Sequence, residues 1–304
     1  MKKEFDIFME DVLDELARQL GEGFHAERKD VVKNNGVTCR QVVISNGVHA
    51  AAPCICVEPY YELYKEQGDI RIIAGDIIKT CQRDGQEDFS VQCFTEWAWV
   101  KDKLMFRLVN TEKNKKLLED MPHHDIPSLK LSMTFYILLH TNGGRSASIQ
   151  VHNSHMKIWG VTEAELLERA EENTPKEMEI SIDSMVEILC GGVEGDMDGR
   201  ECFGDTIPLY ILSNKQKMYG AGCILYRGAL EQAAERIGSS FYILPSSLHE
   251  VILLPATGQG SGRLEELKQM VTEINRSDAL SAEDVLADEV YYYDREEHKL
   301  SVAI

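Results

Sequence analysis

A chain of 304 residues, 43% hydrophobic and 27% charged, has the apolar content of a folded protein, one large domain or two, and argues against global disorder. Its formal net charge is -19, and between Val151 and Asp205 fourteen acids face four bases. A surface that reads phosphates needs the opposite sign, so the charge weighs against nucleic acid and anionic membranes as direct partners.

Phe5, Met9, Val12, Leu13, Leu16 and Leu20 recur at helical spacing with acids between them, which predicts an amphipathic first helix. Two β-rich runs follow, ending at Lys33 and beginning at Val37, and Asn34-Asn35-Gly36 between them predicts a hairpin. Pro53 to Val57 reads as a strand, and Tyr60 to Arg83 as one or two helices. Lys103 to Val109 is a strand by the same criteria and Thr111 to Glu119 a short helix, with Met121 to Pro127 a break.

Leu129 to Leu139 reads as a long apolar strand whose return is Ser146 to Val151. Thr162 and Glu165 form a capping box opening a helix to about Glu172, and a further helix is expected over Ile182 to Leu189. Gly191 to Gly204 is rich in glycine and acids and reads as a boundary or loop. Beyond it, strands are expected at Ile207 to Leu212, Gly222 to Tyr226, Phe241 to Leu244 and Val251 to Leu254. Helices are expected at Ala229 to Ile237 and Leu264 to Ile274, and a short one capped by Ser281 and Asp284. Val290 to Tyr293 and Leu300 to Ile304 close as a hairpin.

Hairpins followed by groups of helices give an α+β fold, antiparallel hairpins and meanders covered by amphipathic helices. The expected regions are 1–120, 121–190, an acidic glycine-rich loop at 191–205, and 206–304. No apolar run of about 18 residues is present. The N-terminal stretch is broken by acids, so no export signal is read and a cytoplasmic location is expected.

Four segments offer chemistry. In the acidic loop, Glu194, Asp196, Asp198 and Asp205 fall near calcium-loop spacing, but the first acid is Glu, the last is the short Asp, and a strand follows; a solvated linker is preferred. His123, His124, His140, His152 and His155, with Asp125, lie near one another in sequence without fitting a metal pattern. Gly258 to Gly262 sits between a strand and a helix but matches neither common phosphate-binding motif. Ser246, Ser247, His249 and Glu250, at a corner between two apolar strands, form the ligand-binding candidate, although no distant base or nucleophile elbow is evident.

Eight cysteines occur without any Cys-x-x-Cys. Cys54 and Cys56 share one strand face, too few for a four-ligand site, so the expectation is reduced, buried thiols, with no metal and no cofactor.

Val31 to Gly36, Ile211 to Lys217, Phe241 to Pro255 and Tyr291 to Asp294 carry a resemblance. Over most of its length the chain resembles an uncharacterised bacterial family catalogued as domain of unknown function 5688. The resemblance implies a bacterial cytosolic protein of an accessory or mobile genomic region, and supplies no activity, cofactor or catalytic residue. The expectation is therefore a non-enzymatic binding or regulatory protein that meets another protein, a basic one, through its acidic surface. One version is an acidic decoy that imitates nucleic acid as an anti-defence factor. The rival is an enzyme using the Ser246 to Glu250 corner or the His123 to His155 cluster.

Overall fold

The computed structural model describes residues 2–45, 54–84, 91–140, 146–189, 209–256, 262–277 and 280–304. The chain divides into two compact units, Met1–Trp99 with His140–Ser146, and Val100–Leu139 with Ala147–Ile304.

In the first unit, helix α1 (Lys2–Gln19) places Phe5, Phe8, Met9, Val12 and Leu16 on one buried face, as its periodicity requires. That face packs with strands β1 (His25–Val32), β2 (Thr38–Ser45) and β3 (Cys54–Cys56), paired antiparallel in that order. Helices α2 (Glu58–Gln67) and α3 (Ile70–Asp84) complete the core with Tyr61, Tyr64, Ile73 and Ile77. The hairpin turn forms where Asn34-Asn35-Gly36 predicts it, with Asn35 at φ 58° and Gly36 at φ 72°. Each fully buried aliphatic or aromatic side chain contributes roughly 1.5–3 kcal/mol, so this face, not helix propensity, sustains α1. Two short helices, α4 (Val91–Thr95) and α5 (Trp97–Val100), lead to the second unit.

The second unit holds two antiparallel sheets. In the smaller, β4 (Leu104–Asn110) pairs with β6 (Leu131–His140), which also pairs with β5 (His123–Ile126) and β7 (Ser146–Gln150). Helix α6 (Lys115–Leu118) lies between β4 and β5, and α7 (Asn153–Trp159) follows β7. Helix α8 (Glu163–Glu177) opens with the predicted box, the Glu165 amide donating to Thr162 Oγ1 and the Thr162 amide to Glu165 Oε2. It covers β4, where the Phe106 amide donates to Thr174 Oγ1 (3.0 Å). The larger sheet contains β8 (Ile180–Ser184), β9 (Tyr210–Asn214), β10 (Phe241–Pro245), β11 (Val251–Pro255), β12 (Tyr291–Asp294) and β13 (Lys299–Val302). Its spatial order is β13-β12-β10-β11-β9-β8. Helix α9 (Met185–Leu189) continues β8, while α10 (Ala229–Ile237) and α11 (Gly262–Arg276) flank β10 and β11 in sequence.

The α+β class expected from the sequence is the observed one, and several local readings are corrected. The expected break at Met121 to Pro127 contains β5, because its residues pair with Leu131 to Thr134 of β6. Ile182 begins a helix only after Ser184, since Ile180–Ser184 pair with Tyr210–Asn214. Gly222 to Tyr226 forms no strand; Gly220–Leu225 is a 3₁₀ helix. Ser281 and Asp284 make a turn in which the Asp284 amide donates to the Ser281 carbonyl. The expected boundary at 120 separates β4 from β6, which are paired along seven residues, and the one at 190–206 separates β8 from β9. Neither is a division of the observed structure. The acidic loop with Glu194, Asp196, Asp198 and Asp205, and the glycines at 258 and 260, lie outside the described residues.

One close approach fixes the path after β9. A Cβ built on Gly220 would lie 2.2 Å from Ser213 Oγ, 2.4 Å from the His249 carbonyl oxygen and 2.8 Å from the Asn214 nitrogen. Two of those atoms are backbone and cannot turn aside. Gly220→Ala is expected to destabilise the second unit by about 2–3 kcal/mol, the scale of overpacking a tight site. Urea denaturation followed by tryptophan fluorescence measures it, and a loss below about 0.5 kcal/mol, the range of ordinary surface substitutions, would contradict the close packing.

Candidate functional site

The corner between β10 and β11 is held by its own polar groups. Ser247 is buried, and its Oγ accepts the His249 amide (2.9 Å) while its own amide donates to the Glu250 carbonyl (3.1 Å). The Leu248 amide donates to the Asp284 carbonyl (2.7 Å). Ser247 therefore has a structural role, closing a serine turn, and its hydroxyl faces backbone rather than the imidazole.

Beside this corner runs the segment from Asn214 to Leu225. Ser213 Oγ donates to the His249 carbonyl (2.7 Å), and the Ala221 amide donates to the Leu248 carbonyl (3.2 Å). Asn214 folds the turn after β9: its Nδ2 donates to the Met218 carbonyl (2.7 Å) and its Oδ1 accepts the Met218 amide (3.2 Å). Lys217 and Tyr219 take left-handed φ values of 54° and 53° within that turn. For a bulky residue such as Tyr219 this conformation is uncommon and persists only where its surroundings enforce it.

The enforced position puts the Tyr219 ring among three partners. His249 stacks on it, with ring centroids 5.6 Å apart and planes 14° apart. Tyr136 meets it edge-on at 5.1 Å, and the Arg107 guanidinium carbon lies 4.8 Å from the ring centroid. The Tyr219 amide donates to His249 Nδ1 (3.2 Å), so the neutral imidazole carries its hydrogen on Nε2, which lies 3.5 Å from Asp284 Oδ1.

The floor comes from the smaller sheet. Arg107 of β4 is in register with Thr134 of β6, and Tyr136 lies two residues further along, so strand alternation puts all three on one face. Thr134 and Tyr136 are buried, whereas Arg107 and Tyr219 are half-buried at the rim. Arg107 Nη2 donates to Gln150 Oε1 (2.7 Å), and Gln150 Nε2 donates to the Phe135 carbonyl (2.8 Å). Among the described residues, Arg107 Nε, Thr134 Oγ1 and Tyr136 Oη are buried with no hydrogen-bond partner. A buried polar group left without a partner costs about 1–3 kcal/mol, and three on neighbouring residues form a cluster that water or a polar ligand can complete. Burial also pushes the Tyr136 phenol far above its ordinary value, keeping it a protonated donor.

Of the sequence candidates, the structure brings His249 into this cluster. It assigns Ser247 to the turn, and gives Ser246 and Glu250 half-buried positions beside it. His123, His152 and His155 of the second cluster serve local structure. His152 precedes α7, with Nδ1 2.9 Å from Asp120 Oδ2, and its amide donates to His155 Nδ1 (3.1 Å). Burial, then the neighbouring His152, lowers the His155 imidazole below its usual range. His123 Nδ1 lies 2.8 Å from the Met121 carbonyl. Among the described residues, the group of metal-ligating side chains that does converge is Cys39, Cys56 and Glu58 of the first unit, and no histidine belongs to it.

Arg107, Tyr136 and Tyr219 were missed in the sequence. A lone arginine in the apolar run Leu104 to Val109 was the available signal, since an interior strand position rarely takes a charge. Ser247→Ala is expected to cost about 1–2 kcal/mol by leaving the His249 amide unpartnered. Thermal denaturation checks this; an unchanged midpoint would show that the serine turn carries no stability.

A family model described as a family of unknown function (DUF5688) matches residues 5–295. No curated protein and no solved structure gives a significant match. The matched span takes in both units, from α1 to the end of β12, and the chain belongs to the DUF5688 family.

Proposed function

We propose that this is a non-enzymatic binding protein whose second unit recognises an anionic group, a carboxylate or a phosphate, at Arg107, Thr134, Tyr136 and Tyr219. The observation that supports this most is the set of three buried polar atoms on adjoining β4 and β6 residues that have no partner among the described residues. Their chemistry matches an anion: a fixed positive charge, a phenol held protonated and a hydroxyl. The half-buried rim gives a route from solvent, while the buried floor supplies a low-dielectric setting in which such bonds strengthen.

A binding role fits the local bonds better than the enzyme reading. Ser247 Oγ is turned to the His249 amide, and His249 Nδ1 is used by the Tyr219 amide, so a serine-histidine relay is not assembled at the corner. The basic-protein and nucleic-acid-decoy readings rest on the net charge alone. The anionic ligand has a constructed set of donors to favour it. We also read the protein as bacterial and cytoplasmic, a compartment in which thiols such as Cys39 and Cys56 stay reduced. No helix of the described residues is long and apolar enough to cross a membrane.

The test is a thermal-shift screen of the full chain with mono- and dicarboxylates, inorganic phosphate and phosphate monoesters, followed by calorimetry. Arg107→Gln is expected to weaken a confirmed ligand by about tenfold or more, the loss of a charge-assisted bond. Tyr136→Phe separates the site from the core: without ligand it is expected to leave stability unchanged or slightly raised, and with ligand to weaken binding. No shift with any anion would contradict the proposal, as would a ligand whose affinity survives Arg107→Gln.

A further inference from the structure

We propose that Cys39, Cys56 and Glu58 of the first unit form a binding site for a thiophilic divalent cation, zinc by preference, with its fourth coordination position open to water or an exogenous ligand.

The site is assembled across two strands and a helix start. β3 pairs with β2 so that Cys56 lies opposite Gln41, which puts Cys39 and Cys56 on one sheet face as diagonal neighbours. Glu58 is the first residue of α2, separated from the strand by Val57 alone. The two Sγ atoms are 3.0 Å apart, and Glu58 Oε2 lies 3.1 Å from the Cys56 sulfur and 3.9 Å from that of Cys39. Cys39 is buried and Cys56 half-buried, so the sulfurs lie under the surface while the carboxylate reaches its rim.

The two oxygens of Glu58 are differently engaged. Oε1 accepts the Arg40 amide (2.9 Å) and lies 3.6 Å from the Arg40 guanidinium, which is itself stacked on the Phe5 ring at 4.5 Å. The Val57 amide donates to the Arg40 carbonyl (2.9 Å), tying the start of α2 to β2. Oε2 is thereby aimed at the sulfurs. Outer bonds of this sort orient a ligating carboxylate before the metal arrives.

Three groups that ionise to anions converge within 4.8 Å of one another. In their ionised forms they repel, and a cation converts that repulsion into attraction. Two thiolates select a soft or borderline metal over calcium or magnesium, and three protein ligands with an open fourth position suit tetrahedral zinc. The geometry passes a distance test. With Zn–S bonds of about 2.3 Å at a tetrahedral angle the sulfurs stand about 3.8 Å apart, so they must separate by about 0.8 Å. A modest rotation about one cysteine χ1 supplies that. On binding, the two S–H bonds give up their protons to solvent and two S–Zn bonds form; no electron is transferred.

Reduced, metal-free full-length protein is titrated with cobalt(II), whose thiolate charge-transfer absorption reports sulfur ligation, and zinc is then added to displace it. The expected result is one cobalt per chain with thiolate and tetrahedral bands that zinc abolishes. Cys39→Ser and Cys56→Ser should each lose the bands, Cys54→Ser should retain them, and Arg40→Gln, a positioning change, should weaken binding by about ten- to a hundredfold. Wild-type protein gives a readout independent of any variant's folding: zinc should slow N-ethylmaleimide labelling of Cys56, located by peptide mass spectrometry. Reduced protein that shows no thiolate-cobalt bands and no protection overturns the proposal. So does bound cobalt whose bands survive Cys56→Ser, or a pair that oxidises to a disulfide while the reduced form takes no metal.

Discussion

The contact between Gly220 and the His249 carbonyl is the constraint on which the arrangement of the candidate site depends. Only a residue without a side chain lets the chain pass there, and the same carbonyl accepts the Ser213 hydroxyl. The serine turn at Ser247 and the Asp284 carbonyl hold the corner from the other side. With both backbones fixed, Tyr219 is forced into a left-handed conformation and its ring is set between His249, Tyr136 and Arg107. The left-handed Tyr219 thus follows from the Gly220 approach, while the register of β4 with β6 brings Arg107, Thr134 and Tyr136 together. Strain of this kind recurs where a binding site is held ready in advance.

Buried polar residues serve two different ends in this unit. Ser213, Asn214 and Ser247 are satisfied by backbone groups, and they hold turns that apolar residues would leave open. Thr134 Oγ1, Tyr136 Oη and Arg107 Nε have no such partner among the described residues. A fully satisfied network rigidifies a fold, while an incomplete one destabilises it unless a ligand or water completes it.

Much of the fold was legible because local patterns and tertiary packing agree. The apolar stripe of α1, the Asn-Asn-Gly hairpin and the Thr162-Glu165 box each need only neighbours in sequence to act. β5 and β8 were not legible, because His123–Ile126 and Ile180–Ser184 become strands through partners outside their own segments. His249 could be singled out because its residue type stands out between two apolar runs. Arg107 and Tyr136 stayed hidden, since each sits in an apolar strand and only the register of β4 with β6 unites them. The cysteine cluster shows the same limit. Cys56 was read with Cys54, its neighbour on the strand, whereas its sulfur meets Cys39 across the sheet, seventeen residues away.

Arg107 Nε, without a partner among the described residues, is proposed to take an anion as its acceptor. Proton-nitrogen NMR of the arginine side chains observes that group directly. One Nε–H resonance, assigned by its loss in Arg107→Gln, is expected to move downfield and exchange more slowly with water as a carboxylate or phosphate ligand saturates the protein. An Arg107 Nε–H that is already protected without ligand, and unchanged when the ligand is bound, would contradict it.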